Sequence, residues 1–286
     1  MFKNIKSLLL SIKMYPLFVS VIPVFVCFLV AKNNNVLIGL LPFVLMILTV
    51  AVAVLAINLV SEYFVFKKGK SSRSIFEPII MLSEKFFKSK KMILWVVLLW
   101  IVFFVLLLFF VLYSSVNLMW FVLLGWLGWQ IYIPQNNLIK KSKYSEIIVF
   151  LLLGPLLFST IYYAFTADFS FRLLLFSIPF GLYVSSIVTA NYLQETSDNS
   201  LMTRVRGKRR YYVEIILPYV MLFLLVIFSN KYFPLLIVFL SAFRAYKLVV
   251  KLVRDDVDEL VLETVQLQKM FSLLLFLGVF IEYLIK

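Results

Sequence analysis

The sequence predicts an all-α polytopic membrane protein, on three observations. The chain is 63% hydrophobic with a mean hydropathy of +1.02 over 286 residues, which is more apolar than a soluble domain of that length can hide. The apolar residues fall in runs of about 20, the length that crosses a hydrocarbon core of about 30 Å as a helix. The basic residues collect in alternate gaps between those runs, as they do in chains that cross a bilayer repeatedly.

Nine runs qualify, at about 16–31, 36–57, 93–112, 117–134, 147–165, 171–190, 213–229, 232–250 and 269–285. The first follows MFKNIKSLLLSIKMY, whose scattered lysines and lack of a small-residue cleavage site read as an amphipathic lead-in at the interface. The second, within LIGLLPFVLMILTVAVAVLAI, and the third, ILWVVLLWIVFFVLLLFFVL, are apolar throughout. The fourth carries Gly125 and Gly128 and closes on Pro134, and the fifth is interrupted by Gly154 and Pro155. Pro179 lies inside the sixth, Pro218 inside the seventh and Pro234 near the start of the eighth. Several runs are thus short or broken by Pro or Gly, the fourth and eighth most of all. No linker, low-complexity tract or soluble domain separates these runs, so residues 1–286 read as one membrane-embedded domain.

Lysine and arginine set the expected orientation. The lead-in holds Lys3, Lys6 and Lys13, and the gaps after the second, fourth, sixth and eighth runs hold nearly all the rest. Of the 28 basic residues, only Lys32, Arg172, Lys231 and Lys286 fall on the opposite side. The rule that cytoplasmic loops are basic then places the N-terminus and the long polar loops in the cytoplasm of a cell-membrane protein, with the C-terminus outside. The net charge of +14 belongs to one membrane face. Anionic headgroups or a phosphorylated substrate account for it, and nucleic acid is a poor partner for a chain without a soluble domain. One cysteine and no histidine exclude a disulfide framework and any Cys/His zinc site. Acid–base work would fall to carboxylates or tyrosines.

One internal echo carries chemistry. The second run ends NLVSE and the sixth NYLQE, each an Asn followed four residues later by a Glu, and each running into a basic loop. Helical spacing puts Asn58, Ser61, Glu62 and Val65 on one face, and Asn191, Glu195, Asp198 and Asn199 on another. Carboxylates near a bilayer are costly and usually face a partner or a wet cavity. Two such ends facing each other would offer oxygen ligands suited to Mg²⁺, which is commonly held by one or two carboxylates and a substrate's phosphate oxygens. Lys67, Lys68 and Arg73 on one loop, and Arg204, Arg206 and Lys208 on the other, could hold the anion. The plain alternative is that these are solvated interfacial residues, and the same choice arises for the acids Asp255, Asp256, Asp258, Glu259 and Glu263, which read as a solvated amphipathic segment.

Read as a whole, GWQIYIP, KYSEIIVFLLLGPLLFSTIYYAFT and SIPFGLYVSSIVTANYLQETSDNS resemble the UbiA superfamily of membrane prenyltransferases. The nearest likeness is to its 1,4-dihydroxy-2-naphthoate polyprenyltransferase branch, which makes the menaquinone precursor. The residues that carry it are Tyr132, Lys143, Tyr144, Glu146, Gly154, Pro155, Pro179, Gly181 and Asn191. NLVSEYFVFKKG resembles the branch's NLxNDYxDxxKG, and LVLETVQLQKMFSLLLFLGV fits its ending. The resemblance implies nine helices bundled around a lipid-open central cavity, in which two Asp-rich motifs bind Mg²⁺ and a prenyl diphosphate. It implies that Glu62 and Glu195 stand at the catalytic positions, with Asn58, Asn191 and Asp198 completing a metal set. Lys67, Lys68, Arg73, Arg204 and Lys208 would bind the diphosphate, and Tyr63, Tyr132 and Tyr144 would line the acceptor cavity. Ionisation of the diphosphate leaves an allylic cation that an electron-rich aromatic acceptor attacks, and aromatic faces stabilise such a cation.

The chain departs from the pattern where the chemistry is done. The first motif reads Ser61, Glu62, Tyr63, Phe64, Val65, with a hydroxyl for the Asn, Glu for the first Asp and an apolar side chain for the second. In the second motif Glu195 and Asn199 replace the two Asp, with Asp198 one position off. Val65 cannot ligate a metal, and losing a carboxylate should weaken metal binding and slow ionisation. Two readings follow: an active prenyltransferase working with one Mg²⁺, or a member that has lost catalysis and binds an isoprenoid or quinone or serves as a membrane partner protein. A transporter would show paired broken helices and ionisable groups at mid-membrane, and few are visible.

Overall fold

Runs of Leu, Ile, Val and Phe without polar interruption leave the backbone only one way to satisfy its N–H and C=O groups in lipid, which is the helix. The computed structural model describes residues 14–67, 90–132, 145–195 and 201–286, with side chains described over 19–60, 93–131, 145–194 and 204–286. Among the described residues every element is helical, and nine segments stand where the nine apolar runs lie. They are α1 (Met14–Asn33), α2 (Leu40–Lys67), α3 (Lys90–Tyr113), α4 (Leu118–Tyr132), α5 (Ser145–Thr166), α6 (Phe171–Glu195), α7 (Leu201–Phe228), α8 (Asn230–Val253) and α9 (Leu260–Ile285). Seven are long and apolar enough to cross a membrane; the described apolar stretches of α1 and α4, Val19–Asn33 and Leu118–Ile131, are shorter. The chain is therefore an all-α, multi-pass membrane protein. The lead-in over residues 1–13 lies outside the described residues.

Two elements depart from a regular α-helix, each at a proline. In α5, Leu152–Leu156 form a π-helical turn around Gly154 and Pro155, because Pro155 has no N–H for the usual ladder and widening the turn re-pairs the neighbours. In α8 the first half, Asn230–Ser241, is a 3₁₀ helix containing Pro234, and the α-helix proper is Ala242–Val253. A 3₁₀ run of this length is unusual. It lies against α9 at Gly278, where an added Cβ would stand 3.1 Å from Leu235 Cα and 3.2 Å from the Pro234 carbonyl oxygen.

Burial separates core from rim. In α6, 72% of the membrane window is buried inside the protein, against 11% in α3, so α6 is the central helix and α3 faces lipid. Helix α6 packs on α5, α7 and α9, and α1 packs on α2, α5 and α9. The core side chains are large and fully enclosed: Phe158, Phe176, Phe180, Tyr183, Tyr211 and Phe271. At the crossing of α5 and α6, Gly154 and Gly181 bring the two backbones together. A Cβ on Gly154 would lie 2.9 Å from Gly181 Cα and 2.8 Å from the Ser177 carbonyl oxygen. Small residues are the usual means by which helices approach closely in lipid.

Polar contacts at the two ends show that α5, α6, α7, α8 and α9 alternate in direction. At one end Asn33 and Asn34 (the end of α1 and the residue after it), Tyr162 (late α5), Arg172 (start of α6), Tyr232 (start of α8) and Glu282 and Lys286 (end of α9) come together. At the other end Glu146 (start of α5), Gln194 (end of α6), Arg204, Lys208 and Arg210 (early α7), and Lys251 and Asp255 (end of α8) come together. The second is the basic end.

Candidate functional site

Helix length brings the two Asn-x-x-x-Glu motifs to the basic end at matching depth. At about 1.5 Å per residue the 28 residues of α2 run about 42 Å, roughly 12 Å more than the hydrocarbon core. Counting about 20 residues in from Leu40 and from Phe171 puts the boundary near residues 59 and 190. Asn58 and Asn191 thus stand at the boundary, and Glu62 and Glu195 about one turn beyond it. Each motif carries a carboxylate, which favours a cation and opposes an anion. An anion held here needs a metal ion or basic side chains.

The described residues place part of the expected set. Asn58 is half-buried, and its Nδ2 is buried with no hydrogen-bond partner among the described residues. Asn191 is half-buried on α6. Helices α2 and α6 have no extended packing with each other, since α2 packs on α1 and α3. The backbones of Glu62, Tyr63 and Lys67 belong to α2, that of Tyr132 to α4 and that of Glu195 to α6, while their side chains lie outside the described residues. Lys68, Arg73, Tyr144 and Asp198 lie outside them altogether. Among the described residues no three His, Cys, Asp or Glu side chains converge as metal ligands. The donor types expected at the two helix ends are all oxygen, which suits a hard divalent cation such as Mg²⁺.

Arg204 and Lys208, expected to hold a diphosphate, both hold a carboxylate of the chain itself. Arg204 Nη2 lies 3.0 Å from Asp255 Oδ1, and Lys208 pairs with the same oxygen. Lys251 pairs with Glu263 at 2.8 Å and donates to the Asp258 carbonyl. The acidic segment after α8 is thus a set of ion pairs tying α7, α8 and α9 together, beyond the solvated segment the sequence suggests. The Lys208 ammonium, then the Arg204 guanidinium, hold the Asp255 carboxyl below the usual aspartate range. A depressed folded-state value stabilises the protein above the unfolded aspartate value of about 3.9, and the effect fades as pH falls through the lower folded one. Asp255→Asn should therefore lower the thermal midpoint in detergent at pH 7, and the loss should shrink as pH falls below about 3.9. Equal losses above and below that pH would show that the carboxylate's charge is not what matters.

A further polar group inside the apolar span escapes a reading based on run ends. Glu214 of α7 is buried; its Oε1 accepts from Ser185 Oγ of α6 at 2.9 Å, and its Oε2 has no partner among the described residues. One turn earlier Arg210 donates to Glu146 Oε2 of α5 at 2.8 Å. Close by, Tyr211 Oη meets Thr264 Oγ1 of α9 at 2.6 Å, and Tyr183 Oη donates to the Ile215 carbonyl at 3.2 Å. The signal was available in YYVEIILPYVM, where a carboxylate four residues after Arg210 sits in an otherwise apolar run. At 3.6 residues per turn Ser185 and Thr189 centre about 120° around α6 from Asn191 and Glu195, so the cluster and the motif lie on neighbouring faces of the helix.

No protein-family model matches the chain, and no curated protein is detectably similar to it. Gly154, followed by Pro155, and Gly181, two residues after Pro179, bring the backbones of α5 and α6 into direct contact. Their role is close packing, which holds the helix bearing Asn191 and Glu195 in the centre of the bundle.

Proposed function

We propose that the chain is a divergent prenyltransferase of the UbiA superfamily type, of the quinone-precursor kind. It would transfer a polyprenyl group from a prenyl diphosphate to an aromatic acceptor at the cytoplasmic face of the cell membrane, with its N-terminus inside and its C-terminus outside. The observation that supports the reading is the matched depth of Asn58 with Glu62 and Asn191 with Glu195, at the end of the bundle where the basic side chains gather. In this reading Asn58, Glu62, Asn191, Glu195 and Asp198 hold Mg²⁺, which when bound neutralises charge on the diphosphate. Lys67, Lys68, Arg73, Arg204 and Lys208 bind the diphosphate oxygens, the last two by giving up Asp255. Tyr63, Tyr132 and Tyr144 border the acceptor.

One observation favours a second reading. Asp255 already neutralises two of the cations, and Val65 supplies no ligand. A family-type protein without turnover, keeping a place for an isoprenoid or quinone or for a protein partner, fits that arrangement too. The test is prenyl transfer by the purified chain, with a long-chain prenyl diphosphate and dihydroxynaphthoate. The expected result is Mg²⁺-dependent product, reduced about 100-fold or more by Glu62→Gln and by Glu195→Gln. Absence of turnover by folded protein that still binds prenyl diphosphate or quinone saturably would overturn the enzymatic reading and leave the binding one.

A further inference from the structure

The 3₁₀ half of α8 changes where its basic residues sit. At about 2.0 Å per residue, Asn230–Ser241 spans about 24 Å, and Ala242–Val253 adds about 18 Å at 1.5 Å per residue. The total of about 42 Å exceeds the hydrocarbon by about 12 Å, so the last eight or so residues of α8 stand in the headgroup layer at the basic end. Their faces are sharply divided. Ala245, Leu248 and Leu252 are buried against the bundle, while Phe243, Tyr246 and Lys247 are exposed. Exposed aromatic rings at that level are what membrane interfaces select.

On the outer face lies an open groove of about 210 Å³ lined by Tyr246, Lys247, Val250, Lys251, Arg254 and Asp256. Three of the six are cations and one is an anion. Lys251 is already engaged by Glu263, the Asp258 carbonyl and, at 3.9 Å, Asp256. Lys247 lies over the ring of Phe243, 4.4 Å from its centre, and has no carboxylate partner among the described residues. Arg254 is exposed and has no carboxylate partner among the described residues. Two cations without a carboxylate partner among the described residues therefore flank an apolar side chain, Val250, with Asp256 turned to Lys251 at 3.9 Å.

We propose that this groove binds the headgroup of an anionic phospholipid from the leaflet at the basic end, with Lys247 and Arg254 on the phosphate and Tyr246 and Val250 against the glycerol and first acyl carbons. The assignment is independent of the prenyl-transfer reading, since it uses none of that reading's residues. Charge complementarity and position carry it: a cation of this kind attracts an anionic surface strongly enough that losing one weakens binding about fivefold.

The experiment is a native mass spectrometric titration of the full chain in detergent with phosphatidylglycerol and with phosphatidylcholine. Phosphatidylglycerol is expected to be retained in preference. Lys247→Gln and Arg254→Gln should each weaken its binding about fivefold, while Lys247→Arg keeps it. Arg209→Gln removes an exposed charge from α7 outside the groove and is expected to have no effect. Equal retention of both lipids, groove variants that bind like the wild type, or the same loss in Arg209→Gln would each overturn the site. Glycerol 3-phosphate is included as a competitor. Displacement of the lipid by it at equal concentration would reassign the groove to a soluble phosphate ester.

Discussion

Glu282→Gln should destabilise the protein by about 3 kcal/mol, the lower end of the usual cost of breaking a buried ion pair. Glu282 and Arg172 pair directly, with side chains only 5% and 11% exposed. The Arg172 guanidinium lies 5.3 Å from the ring centres of both Phe176 and Tyr232, and Arg172 Nε and Nη1 are buried without partners among the described residues. Losing the carboxylate leaves a fixed charge that those faces compensate only in part, since cation–π contacts contribute about 0.5–2 kcal/mol. The matched double change Arg172→Met with Glu282→Leu removes both charges and keeps the packing, and should fall within about 1 kcal/mol of the wild type. Denaturant unfolding in one fixed detergent distinguishes the two. A double variant as unstable as the single one would mean that the pair does more than neutralise itself. The pair joins the start of α6 to the end of α9 while Lys286 donates to the Asn33 carbonyl of α1, so three core helices are tied at the end remote from the basic loops.

The second large effect is expected at the α5–α6 crossing. Gly181→Val should cost about 3 kcal/mol, the top of the range for overpacking. A Cβ there would lie 2.9 Å from the Phe150 carbonyl oxygen and 3.0 Å from Gly154 Cα. Both obstacles are backbone, so no rotamer change relieves them and the helices must separate. Gly128→Ala is the contrast, because its Cβ meets only the Leu152 side chain, which can turn aside. That change should cost less than about 1 kcal/mol. Comparable losses in the two variants would show that α5 and α6 are not held at this point. Because α6 also carries Asn191 and Glu195, Gly181→Val should shift the candidate site as well as the melting point.

The helical segments were legible in the sequence because they depend on local quantities. Among the described residues one lies at each of the nine apolar runs, and seven are long and apolar enough to cross a membrane. Helix α7 begins at Leu201 and α9 at Leu260, ahead of the runs at about 213 and 269. A run of about 20 apolar residues forms a helix in lipid whatever its neighbours are, and the nine runs became α1 to α9. The grouping of basic side chains at one end follows from which gaps carry them, and alternation of direction does the rest. The echo of Asn58–Glu62 and Asn191–Glu195 was visible as spacing, and its equal depth follows from helix length alone.

What only the tertiary structure decided is which side chains meet. Arg172 and Glu282 are 110 residues apart, and Gly154 and Gly181 belong to different helices. Asp255 reads as one acid in a solvated cluster until the fold sets it against Arg204 and Lys208 and turns two candidate anion-binding cations into the partners of a carboxylate. Glu214 stands within an apolar run, and its partner, Ser185, comes from α6. The 3₁₀ half of α8 lies against Gly278 of α9, a contact between residues more than 40 apart in the chain. Each of these depends on how one helix is rotated and set in depth against another. Hydropathy and charge along a single chain fix neither, because both vary only with position along the helix and carry no information about its neighbour.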